Sequence, residues 1–236
     1  YNFPLRVDIL KKICRKNKII IIEDAAEVMG QKLNNKLCGS YGDISIFSFY
    51  ANKQITTGEG GMITTNSKKL YKQSKSLRNL CFGKQDRFNH EDIGWNYRMT
   101  NLQASLGVSQ LKRIRSIVGR RHRVGNEYFQ KLKNNKNIYI PETTRSYAKN
   151  IYWVIAFVIT NKDLKIDGKK LMKMLLKYGI QTRPFFWPMH KQKVFKEKYK
   201  INTSGKYKNS EYISKYGLYL PSSLDIKSNQ IKFICN

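Results

Sequence analysis

An α/β fold followed by a smaller α+β portion is what this sequence predicts, on three observations. Residues 5–17 place Val7, Leu10, Ile13 and Cys14 at helical spacing, with charged residues on the other face. The β-branched run Ile19-Ile20-Ile21-Ile22 follows at once and ends in Glu23-Asp24. Such a run is how a strand buried on both faces of a parallel sheet reads, and helix then buried strand is half of a βαβ unit. The third observation is a change of pattern after an Asn/Lys-rich stretch at 133–149.

The elements follow in order. A second strand is predicted over Ile44 to Phe49, approached through Gly39-Ser40-Tyr41-Gly42. A third covers Gly61 to Thr65, after Gly58-Glu59-Gly60. Helix is predicted from about Ser67 to Leu80, and residues 82–98 read as irregular and polar-aromatic. A long helix runs from Thr100, a fitting N-cap, to about Leu132, with Leu102, Leu106, Gln110-Leu111 and Ile114 on one face. Residues 133–149, with Pro141, form the best linker. That sets the expected domains at 1–132 and 133–236. In the second lie a strand over 152–160, a helix over 168–178 and a short strand over 180–183. Then come Pro184-Phe185-Phe186-Trp187-Pro188-Met189-His190 and amphipathic helices over 206–217 and 225–235. No internal repeat is present.

The formal charge is +29, from 45 Lys+Arg against 16 Asp+Glu in 236 residues. A chain 41% hydrophobic and 12% aromatic is not a disordered basic tail. The charge points towards an anionic partner, nucleic acid included. Against that stand 33 Lys, 20 Asn and 25 Ile, a bias that AT-rich coding produces. The lysines are spread from end to end, without the clustering or the recurring aromatic-basic motifs of a nucleic-acid surface, so no specific nucleic-acid partner is expected. Cys14, Cys38, Cys81 and Cys235 lie far apart, without C-x-x-C or zinc spacing, and are expected as free thiols with no metal. No apolar run approaches a membrane span and no signal-peptide h-region opens the chain, so a soluble, cytoplasmic protein is expected.

Chemistry concentrates in residues 23–61. Asp24 ends a strand, and ligands of open parallel sheets gather at the carboxyl ends of strands; an Asp there can equally cap the next segment. Ser48 and Lys53 flank the end of the following strand, and Lys53 runs into Ile55-Thr56-Thr57-Gly58-Glu59-Gly60-Gly61. One lysine among 33 is ordinarily solvated surface. Its company sets Lys53 apart. Pyridoxal phosphate (PLP) chemistry needs a lysine amine, a carboxylate that keeps the pyridine nitrogen protonated, and hydroxyls and amides for the phosphate.

Four blocks carry a resemblance. They are Glu23-Asp24-Ala25-Ala26-Glu27 with Gly39-Ser40 and Gly42-Asp43, then Phe47 through Gly61, then Gly94-Trp95-Asn96-Tyr97-Arg98-Met99-Thr100-Asn101-Leu102-Gln103-Ala104, and finally Thr182 through His190 with Leu220-Pro221-Ser222. Together they resemble the DegT/DnrJ/EryC1/StrS family of PLP-dependent sugar-nucleotide aminotransferases over nearly the whole chain. Two blocks look closest to members that aminate the 4-keto carbon of GDP-4-keto-6-deoxymannose.

The resemblance implies the aspartate-aminotransferase fold (fold type I) and a homodimer with sites at its interface. It also implies amino transfer from glutamate to a nucleotide-linked 4-keto sugar, serving polysaccharide or glycan biosynthesis. Lys53 is the implied catalytic lysine, holding the cofactor and later moving a proton between cofactor and sugar carbon. Asp24 is implied at the pyridinium nitrogen, Glu27 near the ring hydroxyl and Ser48 at the phosphate. Asn96 is implied at the phosphate of the neighbouring subunit's cofactor. Arg183 and His190 fall in the block lining the sugar-nucleotide entrance; an exposed loop cation and a partly buried imidazole are their plain alternatives. His90 precedes the Asn96 loop as a further substrate-contact candidate. Phe185, Phe186 and Trp187 read as core or interface before base-stacking platform. Members that dehydrate instead replace the lysine by histidine, which Lys53 argues against.

The family's chain begins well before Tyr1, with a Gly-Ser/Thr turn for the phosphate and an aromatic that stacks on the ring. The large domain is therefore expected to lack its first strands and helices, leaving sheet edges and apolar faces exposed. A truncated, inactive remnant is the alternative.

Overall fold

The computed structural model describes residues 2–83 and 86–236. Tyr1, which opens the chain, and Lys84 and Gln85 of the irregular stretch 82–98 lie outside the described residues. In chain order come α1 (Val7–Lys16), β1 (Ile22–Asp24), β2 (Lys32–Leu33), β3 (Lys36–Leu37), β4 (Ile44–Ser48), β5 (Gly61–Thr65), α2 (Lys68–Leu77), α3 (Asn101–Leu111) and α4 (Ile114–Leu132). They are followed by β6 (Ile138–Tyr139), β7 (Thr144–Arg145), β8 (Ala148–Lys149), β9 (Ile155–Ile159), α5 (Gly168–Lys177), β10 (Arg183–Pro184), α6 (Lys193–Glu197), α7 (Lys208–Tyr216), β11 (Gly217–Leu220) and α8 (Ser228–Cys235). Two units form: Asn2–Arg120 with Thr144–Trp153, and Arg121–Thr143 with Val154–Asn236.

The first unit holds a sheet of order β1-β4-β5. β1 and β4 are parallel, with Asp24 opposite Ile46. β5 runs antiparallel to β4, with Ser48 opposite Gly61, so the sheet is only partly parallel. The reason lies in the connection. The stretch from Ser48 to Gly61 contains no helix, and a parallel return needs a crossover, usually helical. The isoleucine run also differs from expectation. Strand begins only at Ile22, and Ile19, Ile20 and Ile22 are 56%, 69% and 72% exposed. Among the described residues β1 is the edge of this sheet, so the run that reads as doubly buried has no described strand on its outer side.

The core of the first unit packs Val7 of α1 with Leu33, Cys38 and Tyr41, flanked by Val28 and Tyr147. Leu33 belongs to a β2–β3 hairpin absent from the sequence reading. Its turn residues Asn34 and Asn35 have φ of 46° and 65°, the left-handed pair that a two-residue type I′ turn requires and that Asn tolerates. The stretch 133–149 is not a bare linker. Ile138–Tyr139 joins the second unit's sheet, and β7 and β8 form a hairpin in the first unit. The Tyr147 carbonyl there accepts from Asn34 N at 2.8 Å.

Thr100 caps α3 as expected, in a full capping box with Gln103. The long helix divides at Lys112-Arg113, where Arg113 N bonds Gln110 O three residues back. The apolar face read along it is open in this chain: Leu102, Leu106 and Leu111 are all exposed.

The second unit has a sheet of order β10-β11-β9-β6, antiparallel at every pairing. All five residues of β9 are buried, as are Leu218 and Leu220 of β11. α5 and α7 pack against this sheet. No described helix is long and apolar enough to cross a membrane.

Candidate active site

The site is built at the carboxyl ends of β1 and β4. Asp24 is the last residue of β1 and is exposed there. Its Oδ1 accepts from Ala26 N at 3.0 Å, which fixes the turn out of the strand and holds the carboxylate at the sheet's edge. Its neighbour Glu23 points to the other face. The Glu23 carboxylate accepts from Gly39 N (2.6 Å), Tyr41 N (2.8 Å), Gly42 N (2.9 Å) and Ser45 Oγ (3.3 Å). Glu23 thus anchors the glycine-containing approach to β4. A Cβ at Gly42 would lie 2.9 Å from Glu23 Cβ and 2.7 Å from the Ile44 carbonyl, so the chain passes too close there for a side chain.

Ser48 ends β4, and its Oγ accepts from Tyr50 N at 3.3 Å. The turn beyond it carries Lys53, whose N–H donates to the Tyr50 carbonyl at 3.0 Å. The Lys53 side chain is only 12% exposed. Its Nζ lies 3.6 Å from Glu27 Oε1 and 4.4 Å from the centroid of the Trp153 ring. Burial pushes the Glu27 carboxyl above its ordinary range; the Lys53 ammonium pulls it back, and Asp24 adds to the rise. Gln54, buried beside Lys53, donates to the Glu27 carbonyl at 2.7 Å. These bonds tie the lysine's turn to the segment following Asp24.

The threonine-glycine stretch after Lys53 is clamped from α3. Gln110 accepts from Thr56 N at 3.0 Å and donates to Thr56 O at 2.7 Å. Gln103 donates to Glu59 O at 3.3 Å. Gly60, at φ 143°, lies where a Cβ would meet Thr57 Oγ1 at 2.7 Å and Met99 Cε at 2.8 Å. The glycines of this stretch are therefore demanded by close packing and by left-handed backbone.

The other candidates lie elsewhere. Asn96 is exposed, accepts from Arg98 Nε at 3.3 Å and bridges to Asn79 just past α2. His90 is exposed and bridges to Phe82, with Nδ1 2.6 Å from the Leu80 carbonyl. Arg183 and His190 belong to the second unit. Arg183 is exposed on the edge strand β10, opposite Tyr219. His190 Nε2 is 3.0 Å from Glu211 Oε1, and its ring packs on Tyr207 with centroids 4.6 Å apart. Phe185 is buried, whereas Phe186 and Trp187 are exposed and help line a cleft of about 1030 Å³ in the second unit.

Asp24, Glu27, Ser48 and Lys53 thus share one region of the first unit. The sequence reading missed Trp153, Gln110 and the anchoring role of Glu23. Glu23 carried a signal, because an acid beside Asp24 must face the opposite side of a strand.

The fold is the type I fold of PLP-dependent aminotransferases. Solved structures that share it include PseC of Helicobacter pylori, an aminotransferase involved in the biosynthesis of pseudoaminic acid. It superposes with a TM-score of 0.90 at 24% identity, over 99% of this chain and 62% of that one. Residues 3–236 match the DegT/DnrJ/EryC1/StrS aminotransferase family, and the chain belongs to it. Among its relatives is a GDP-perosamine synthase of Escherichia coli O157:H7, 32% identical across 100% of this chain and 62% of that protein. A second GDP-perosamine synthase, from Caulobacter vibrioides, is 38% identical over 78% of this chain and 49% of its own length. The chain spans at most about two thirds of the length of these relatives.

Proposed function

We propose that the protein is a PLP-dependent aminotransferase that moves an amino group from glutamate to a nucleotide-linked 4-keto-6-deoxy sugar. The product would be an amino sugar of the GDP-perosamine kind, for polysaccharide or glycan biosynthesis. The observation that carries the reading is the sequestered Lys53 amine, held 3.6 Å from Glu27, in the same region as the exposed Asp24 carboxylate. Family membership and the GDP-perosamine synthases among the relatives support it.

The residues fit the cofactor. An amine, an edge carboxylate bonded by one backbone N–H, and a strand-end hydroxyl stand at the carboxyl ends of the parallel pair β1 and β4. Bound PLP supplies an electron sink for the substrate carbon. Lys53 is the catalytic residue: it holds the cofactor covalently, and when released its amine moves a proton to or from the reacting carbon. Asp24 keeps the pyridine nitrogen protonated, Glu27 orients the ring hydroxyl and Ser48 bonds the phosphate. Asn96 reaches the phosphate across a homodimer interface. Arg183, His190 and His90 contact the sugar nucleotide. The setting proposed is the cytoplasm.

The test is spectroscopic. Purified protein mixed with PLP develops the absorbance of covalently held cofactor, which shifts on adding L-glutamate. Borohydride then places the cofactor mass on Lys53, and Lys53→Ala loses both signals. A Lys53→Ala variant that captures PLP as the parent does would overturn the reading.

A further inference from the structure

We propose that Trp153 is a positioning residue for the Lys53 amine. The inference rests on the reading of Lys53 as the reactive lysine and deepens it.

Two independent contacts carry it. The Trp153 ring lies under the Lys53 ammonium, 4.4 Å from Nζ to centroid. Its Nε1–H donates to the carbonyl of Asn52, the residue just before Lys53, at 3.2 Å. One side chain therefore grips both the tip of the lysine and the backbone at its root. The indole is 3% exposed and so offers a fixed surface. A buried ring attracts an ammonium more strongly than an exposed one, because less water competes for the cation.

Trp153 ends the segment Thr144–Trp153, which returns to the first unit from far along the chain. Next to it, Asn150 Oδ1 accepts from Tyr152 N at 2.8 Å, and Ile151 N donates to Asn2 O at 3.2 Å. The ring is thus held by an ordered strip of backbone. Glu27 is the charged group facing the amine at 3.6 Å, and Asp24 acts on Glu27 in turn. Glu27 supplies attraction, while Trp153 adds direction: a ring face and a backbone bond together leave the long side chain few alternative paths. A lysine held this way meets an incoming aldehyde already aimed.

The experiment compares the parent, Trp153→Leu and Trp153→Phe. Without cofactor, brief labelling by an amine-reactive reagent at fixed pH is read lysine by lysine by mass spectrometry. With cofactor, the rate of PLP capture is followed by absorbance. In Trp153→Leu, Lys53 labelling rises at least fivefold relative to the other lysines, and capture slows about tenfold, as expected when a pre-aimed group becomes free. A merely structural role would change labelling of many lysines together and leave the Lys53 ratio flat. Unchanged Lys53 labelling, or capture at the parent's rate, overturns the proposal.

Should the leucine variant fail to fold, Trp153→Phe carries the test, since it keeps a ring but loses the bond to Asn52. Intermediate values support the proposal and parent values overturn it. Failure of the underlying reading would appear separately, as cofactor capture that survives Lys53→Ala.

Discussion

The isoleucine run Ile19–Ile22 that leads into β1 and the strand β9 are both rich in β-branched and apolar residues, yet they meet opposite surroundings. All five residues of β9 are buried between neighbours on both sides, whereas β1 is an edge strand with Ile22 exposed. An apolar run therefore reports what a strand is suited to, and the sheet order decides what it receives. The edge position is also what leaves Asp24 open at the site.

This contrast can be broken or sharpened by experiment. Phe157→Ala in β9 should cost the second unit about 3–5 kcal/mol in denaturant unfolding, by lost burial and the cavity left. A cost under about 1 kcal/mol would mean that β9 is not the packed strand described. Glu23→Ala should come next, at about 2–3 kcal/mol, because three backbone N–H groups lose a charged acceptor at once. Ile22→Ser should change stability by no more than about 0.5 kcal/mol, as at other exposed positions. A large loss there would show that β1 is covered in solution.

The smallest effects concern pH, and the two units should differ in sign. Lys191, donating at 2.9 Å, and then His190 hold the Glu211 carboxyl below its ordinary value. Its contribution is present above about pH 4.5 and lost as pH falls through the lowered value. Burial raises Glu27 instead, so its contribution is present below its ordinary value and lost as pH rises through the raised one. Melting temperatures of Glu211→Gln and Glu27→Gln, scanned from pH 3 to 7, should both approach the parent at the acid end and depart from it towards pH 7 with opposite sign, Glu211→Gln below the parent and Glu27→Gln above it. Departures of the same sign would refute the assignment.

Much of this was legible in the sequence because it is local. Thr100 and Gln103 stand three apart, as a capping box requires, and the turn from Lys53 to Gly61 shows its glycines openly. The family's blocks are likewise contiguous strings. Contacts made over long distances were not legible. Trp153 reaches Asn52 across 101 residues, and nothing near either residue announces the other. The antiparallel β5 was missed because strand composition carries no direction. The β2–β3 hairpin was missed because Asn34-Asn35 sits in an Asn/Lys-rich chain where that pair looks ordinary.

Glu23 and Asp24 are chemically near twins separated only by the pleat. One carboxylate is tied by three amides behind the sheet's edge, and the next stands exposed in front, accepting from the Ala26 N–H. Their jobs are assigned by parity. Deleting a single residue between α1 and β1, or inserting one, would exchange the two acids if the strand slipped to match. The anchored loop would then lose its four bonds while an acid still stood at the edge. The composition would be almost untouched and the site unmade, so the short stretch Asn17–Ile21 should tolerate changes of residue far better than changes of length.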